Sequence, residues 1–180
     1  MRAHFVASLF VLALVACASR PTSESAYNLG VSAYRAKDYS AARTHWSDAV
    51  ASGDVSALNN LGYLFYYGLG GAADQQQAVG LWRRAAERGD SEAQWHLGAA
   101  YQEGKALPQS NVEAYAWYRC AIASAEAATE NERPVEQEIA NDARKSLAAI
   151  VERLTPEQFA AGQALAKQYI GAYARGGGGA

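Results

Sequence analysis

The chain has 180 residues, with 16 basic against 18 acidic side chains and a net charge of −2. That length supports one domain with a real hydrophobic core, and the lack of any basic run excludes the electrostatic footprint of a nucleic-acid binder. Half of the residues are apolar, but alanine dominates and Val and Ile are sparse beyond the first fifteen positions, which favours helix over strand because alanine loses no side-chain entropy in a helix.

Residues 1–16 read MRAHFVASLFVLALVA. Arg2 gives a positive start, and Phe5 to Ala16 is an apolar stretch of twelve, short of the roughly 20 residues a membrane-spanning helix needs. This is the pattern of a secretory signal. Leu14-Val15-Ala16-Cys17 resembles a bacterial lipobox. The resemblance implies cleavage before Cys17, acyl chains on that cysteine, and a tether over 17–24. Ala18, where a retention signal would have Asp, implies the outer membrane. The same letters allow a second reading: Ala16-Cys17-Ala18 fits an A-x-A site, and cleavage after Ala18 would release a soluble periplasmic protein. If Cys17 is acylated, Cys120 is the one remaining thiol and no intramolecular disulfide is possible. Cys120 lies in WYRCAI, where a small buried hydrophobe is expected.

Self-similarity dominates the rest of the chain. Gly62 and Gly98 are 36 residues apart, as are Ala57 and Ala93. Ala42, Ala78 and Ala114 keep that spacing twice, and so do Trp46, Trp82 and Tyr118. Each unit predicts two helices. The first carries A-x-x-x-L-G-x-x-[FY]-x-x-G, as Ala57-Leu61-Gly62-Phe65-Gly68 and Ala93-Leu97-Gly98-Tyr101-Gly104, with small and apolar residues on one face. A glycine inside a helix costs about 1 kcal/mol relative to alanine, so it belongs where the next helix packs too close for a Cβ. The second helix carries A-x-x-[WL]-[WY]-x-x-A-A, as in Ala78 to Ala86. Gly89 then ends it in a left-handed turn, and Asp54 and Asp90 are suited to starting the helices that follow.

These motifs resemble Sel-one-like repeats (SLR), relatives of tetratricopeptide repeats that stack as helix pairs. The resemblance covers about 25–126 in three units, near 25–54, 55–90 and 91–126. The first is atypical, and AKDY in its turn brings it closer to a plain tetratricopeptide unit. The implied fold is all-α: a short right-handed solenoid of helix-turn-helix repeats with C-terminal capping helices. GLGG, 68–71, then falls in the turn between the two helices of one repeat. A phosphate-binding loop would follow a strand and carry GK[ST], and neither condition holds.

Residues 127–138, AATENERPVEQE, read as an acidic linker leading into a helix. Ala140 to Leu154 predicts an amphipathic helix with Ala143, Leu147, Ile150, Val151 and Leu154 on one face. Thr155 fits a helix N-cap, Pro156 the first helical position and Gln158 the reciprocal partner of a capping box. The last helix runs to about Tyr173, and these helices would cover the exposed end of the solenoid. GGGG, 176–179, belongs to a tail that cannot order itself.

Catalytic chemistry finds little support. His4 leaves with the signal, His45 stands where the repeat wants a packed residue, and His96 has no second histidine or carboxylate at ligand spacing. Glu92, four residues before it, reads as a helical pair. There is no H-E-x-x-H, C-x-x-C or G-x-S-x-G, and the acidic residues are scattered. No enzyme activity, metal or cofactor is expected. Hydrolytic relatives carry paired cysteines in each repeat, which this chain lacks.

The resemblance implies that the first helix of each pair lines a concave groove. In register with the Leu-Gly pair, the inward positions are Tyr27, Val31, Tyr34 and Arg35, then Asn59, Tyr63, Tyr66 and Tyr67, then Trp95, Ala99, Gln102 and Glu103. Six of these are aromatic, which suits a protein or peptide partner. Leu29, Leu61, Phe65, Leu97 and Tyr101 are expected in the core. The carboxylate clamp of some tetratricopeptide domains is missing, because Tyr27 and Val31 stand where a lysine and an asparagine would be. The expected function is a membrane-tethered periplasmic scaffold. The alternatives are a soluble assembly or regulatory factor, and a cell-wall glycan binder whose aromatics stack on sugars.

Overall fold

The computed structural model describes residues 23–174. The signal segment 1–16, Cys17 and the tail from 175 lie outside the described residues. Within them stand eight α-helices and no strand: α1 Ser23–Arg35, α2 Tyr39–Ala51, α3 Ala57–Tyr67, α4 Gln75–Ala86, α5 Ser91–Glu103, α6 Asn111–Glu126, α7 Arg133–Val151 and α8 Pro156–Tyr173. The architecture is an all-α repeat solenoid. The pairs α1–α2, α3–α4 and α5–α6 pack along each other, and α2 on α3 and α4 on α5 join one pair to the next. None of these helices is long and apolar enough to cross a membrane.

Local chemistry sets the helix ends. Asp38, Asp74 and Asp90 each accept a hydrogen bond from the backbone N–H three residues on, at 3.0, 2.8 and 2.8 Å, satisfying a donor that a helix start leaves open. Asp54 differs: it accepts from the Ser56 N–H at 2.9 Å inside the turn, and α3 starts at Ala57 without a side-chain cap. Gly68 closes α3 in the left-handed conformation at φ 68°. GLGG is indeed a turn within a repeat. Gly70 lies against the Tyr39 carbonyl at the start of α2, and a Cβ on Gly71 would stand 2.6 Å from Nη1 of Arg43. Arg43 in turn donates to the Ala72 carbonyl at 3.0 Å and lies 3.8 Å over the Phe65 ring. The glycines thus let one repeat dock on the preceding one.

The core runs along the solenoid through residues 36 apart. Trp46, Trp82 and Tyr118 are buried, with Ala42, Ala78 and Ala114 a turn earlier. Each aromatic ring fills the place a Cβ would take on the glycine of its partner helix: Trp46 at Gly30, Trp82 at Gly62, Tyr118 at Gly98. The two indole N–H groups donate to carbonyls of the facing helix, Trp46 to Tyr27 at 3.2 Å and Trp82 to Asn59 at 3.3 Å. In the third pair the Tyr118 hydroxyl donates to Oε1 of Gln102 at 2.7 Å. Leu61, Leu97 and Phe65 are buried and Tyr101 partly so, but Leu29 is 43 % exposed. Leu29 corrects the expected core. α3 and α5 each pack on the preceding pair, through α2 and α4, and no described element precedes α1.

The last helices do not repeat the pattern. α7 begins at Arg133, with Pro134 in its first turn, seven residues before the expected start. α7 and α8 each pack along α6, rather than along each other, and α7 also touches α5. Ala143 and Ile150 are buried, whereas Val151 is 37 % exposed and Leu154 lies past the helix end. The Thr155–Gln158 capping box is formed in both directions, at 3.2 and 3.0 Å. α8 lays Tyr169 and Tyr173 on Trp117, with ring centroids 4.5 and 5.8 Å away. The Tyr173 carbonyl accepts from the buried Gln94 amide at 3.0 Å. Cys120 is fully buried beside the Tyr169 carbonyl, and burial pushes its thiol up to about 12.

Candidate functional site

The first helices of the three pairs share a face, and a cavity of about 510 Å³ opens on it. α1 contributes Val31, Tyr34 and Arg35 to its lining. α3 contributes Asn59, Asn60 and Tyr63. α5 contributes Glu92, and Trp46 stands behind from α2. Helical spacing explains the set. Val31 and Tyr34 are three apart, Asn59 and Tyr63 four apart, so each pair lies on one side of its helix.

The rings form a connected series. Tyr34 meets Tyr39 edge-on at 5.4 Å and lies 5.6 Å from Trp46. Burial, then the neighbouring Tyr63 and Tyr39, raise the Tyr34 hydroxyl above its ordinary pKa. Tyr63 continues to Tyr67 at 4.7 Å and to His96 at 6.1 Å. Tyr27, on α1, is half-buried, and its hydroxyl accepts a long hydrogen bond from Nδ2 of Asn60 at 3.5 Å.

The acidic wall is Glu92. Its Oε2 accepts from Nδ2 of Asn59 at 2.7 Å, and its side chain stays 48 % exposed. Burial first, then the charges of Asp90 and Glu136, raise its pKa, while the Asn59 hydrogen bond lowers it. His96 lies 3.9 Å from the other Glu92 oxygen. It is buried and stacked on Trp82 at 4.5 Å and 15°, and burial drops its pKa to about 4. The imidazole is therefore neutral near pH 7 and does not balance the carboxylate. Two acceptor or ring atoms here have no partner: Oδ1 of Asn59 and Nε2 of His96 are buried without a hydrogen bond.

The eight groove residues expected from the sequence separate into two groups. Tyr27, Tyr34, Asn59, Tyr63 and Tyr67 stand on the α1–α3 part of the face, with Tyr67 56 % exposed. Three are withdrawn from it. Tyr66 is buried against Trp82 at 4.9 Å, and its hydroxyl donates to Glu103 at 2.8 Å. Burial and that carboxylate raise its pKa far above the ordinary range. Trp95 donates to Ser146 of α7 at 3.3 Å, so the capping helix covers that end. Gln102 is held by the Tyr118 hydroxyl, and its carbonyl accepts from Gln109 at 2.9 Å. Glu103 pairs with Lys105 at 3.0 Å as well as with Tyr66. Burial would raise its pKa, but these two hydrogen bonds and the lysine charge hold it low. Glu92 was missed as a wall residue. It lies three positions before Trp95, so extending the groove register one turn toward the start of α5 would have found it.

Among the described residues no three His, Cys, Asp or Glu side chains gather as a metal-binding group. Two successive segments, 55–90 and 91–125, match the Sel1 repeat. A crystal structure of a protective antigen present in uropathogenic Escherichia coli strains, displaying an SLR fold, superposes with a TM-score of 0.72 at 28 % identity, over 84 % of this chain and 30 % of that one. A Sel1 repeat protein from Oxalobacter formigenes superposes at 0.52 and 28 % identity, over 83 % of this chain and 63 % of that one. The chain thus spans less than two thirds of the length of either. No curated protein matches the sequence.

Proposed function

Because this chain is an all-α solenoid carrying two Sel1 repeats, we propose that it is a binding scaffold that takes a segment of a protein partner along the face of α1, α3 and α5. Sel1 repeat proteins usually mediate protein–protein interaction. The cavity of about 510 Å³ between Tyr34, Asn59, Tyr63 and Glu92 carries the reading. Tyrosine gives a partner large contact area, few rotors and a polar tip, and a cavity of this size admits one or two side chains. The chain performs no chemical step of its own in this reading. Cys120, its one thiol if Cys17 is acylated, is buried and protonated.

A benzophenone amino acid at position 67, exposed beside Tyr63, tests the face in living cells, with position 84 on α4 as control. A discrete product from position 67 alone supports the scaffold. Equal products from both positions, or none from either, count against it.

The scaffold is further proposed to be held at the outer membrane by acyl chains on Cys17, facing the periplasm. The Leu14-Val15-Ala16-Cys17 sequence supports this, and a tether raises the local concentration of a partner at the membrane. Radiolabelled palmitate should enter the protein and be lost in Cys17→Ala. A wild-type chain without label would be the soluble form cleaved after Ala18.

A further inference from the structure

We propose that the cavity between α1, α3 and α5 receives the cationic side chain of a lysine or arginine from the bound segment. This rests on the reading of the face as a protein-binding site, and it names what that site selects. Three observations converge. Glu92 presents a half-exposed carboxylate to the cavity, and the basic group within reach of it, His96, is kept neutral by burial. Asn59 is 5 % exposed and lines the same cavity; its Nδ2 is committed to Glu92, and its Oδ1 has no donor. The rings of Tyr34 and Tyr63 supply the remaining wall.

A carboxylate, an unfilled amide oxygen and aromatic faces all favour a hydrogen-bond donor with positive charge. An ammonium or guanidinium can donate to the oxygens and lie against the rings. A neutral apolar side chain would leave the carboxylate desolvated and the amide oxygen unfilled. Arg35 gives the site a direction. It lines the cavity from the last turn of α1, so it repels a cation there and drives the head group toward α5. The aliphatic stem of the guest then crosses Tyr63 on α3.

The test is an NMR titration of the full chain with four capped tripeptides, Gly-X-Gly, in which X is lysine, arginine, norleucine or glutamate. The lysine and arginine peptides are expected to shift the Tyr34 and Tyr63 ring signals and the Asn59 side-chain amide, while norleucine and glutamate leave them in place. Glu92→Gln, checked for unchanged helix content, should weaken lysine binding at least fivefold, and Arg35→Ala should leave it equal or tighter. Norleucine binding as well as lysine, or Glu92→Gln without effect, would overturn cation recognition and leave the protein-binding face standing. An N-acetylglucosamine tetramer shifting the same signals while the lysine peptide does not would overturn it in favour of glycan. Silence from every probe, with a specific crosslink still formed from position 67, would sink this inference alone. Silence together with no crosslink would sink both.

Discussion

A Cβ on Gly62 would stand 2.6 Å from Nε1 of Trp82. That indole nitrogen donates to the Asn59 carbonyl at 3.3 Å, so the ring is pinned by the helix it presses on. The contact fixes how closely α3 and α4 approach, and Asn59, one turn before the glycine, is a wall of the cavity. Packing and site are thus joined through one indole.

Gly62→Ala should therefore destabilise the fold by about 2–3 kcal/mol, because the ring cannot retreat without breaking its hydrogen bond. Gly98→Ala should behave alike, since its Cβ would stand 2.5 Å from the Tyr118 ring. Gly80 provides the contrast: it is exposed on α4 with nothing within 4 Å of its Cβ. Gly80→Ala should stabilise by up to about 1 kcal/mol through helix propensity alone. Urea unfolding of the three variants checks the ordering, and equal effects would refute the close-approach argument.

His96 makes stability depend on pH. Burial lowers its folded pKa from 6.5 to about 4, so between those values the unfolded chain binds more protons than the folded one. The contribution is complete above pH 6.5 and is lost as pH falls toward 4. At 1.36 kcal/mol per pKa unit the loss is about 3 kcal/mol. His96→Phe keeps an aromatic ring against Trp82 and removes the titration, so its unfolding free energy should lose this slope between pH 6.5 and 4. A slope unchanged from wild type would mean that His96 is not its source.

The division of the tyrosines is also testable. Tyr66 is buried and bonded to Glu103, whereas Tyr67 is 56 % exposed. Tyr66→Ala should cost about 3 kcal/mol, and Tyr66→Phe about 1 kcal/mol through the lost hydroxyl bond. Tyr67→Ala should cost about 1 kcal/mol or less, through its ring contacts with Tyr63 and Tyr66, while lowering capture of the partner. Thermal melts of the three variants separate core from open face.

Cys120 should be silent to thiol reagents in the native protein, because the thiolate is the reactive form and burial holds the thiol near 12. Its modification by an aromatic disulfide reagent should follow the rate of unfolding as urea is raised. Rapid labelling without denaturant would show that α8 opens readily from α6.

The fold class was legible because the 36-residue spacing of Gly62 with Gly98, and of Trp46 with Trp82 and Tyr118, encodes one packing event repeated along the chain. The close approach inferred at the helix glycines follows from their cost in a helix. Less was legible where tertiary context decides. Leu29 has the letter of Leu61, but no described pair packs on α1 from before it as α2 packs on α3. Trp95 lies in register with Asn59, but α7 reaches it through Ser146, and nothing in the periodicity of α5 announces where α7 will lie. Tyr66 and Tyr67 are adjacent and chemically identical, and a rotation of 100° between successive residues sends one to Glu103 and Trp82 and the other to solvent. Glu92 reads as a partner of His96 until burial shows that the imidazole carries no charge.

The central claim is that the α1–α3–α5 face, through Tyr63 and its neighbours, holds a partner protein. Its most direct test is the crosslink from position 67, repeated in a chain that also carries Tyr63→Ala. The discrete product should be lost while the protein remains folded and equally abundant. An undiminished product in the Tyr63→Ala chain would mean that the partner lies near α3 without using the cavity, and would rule out Tyr63 as part of the binding face.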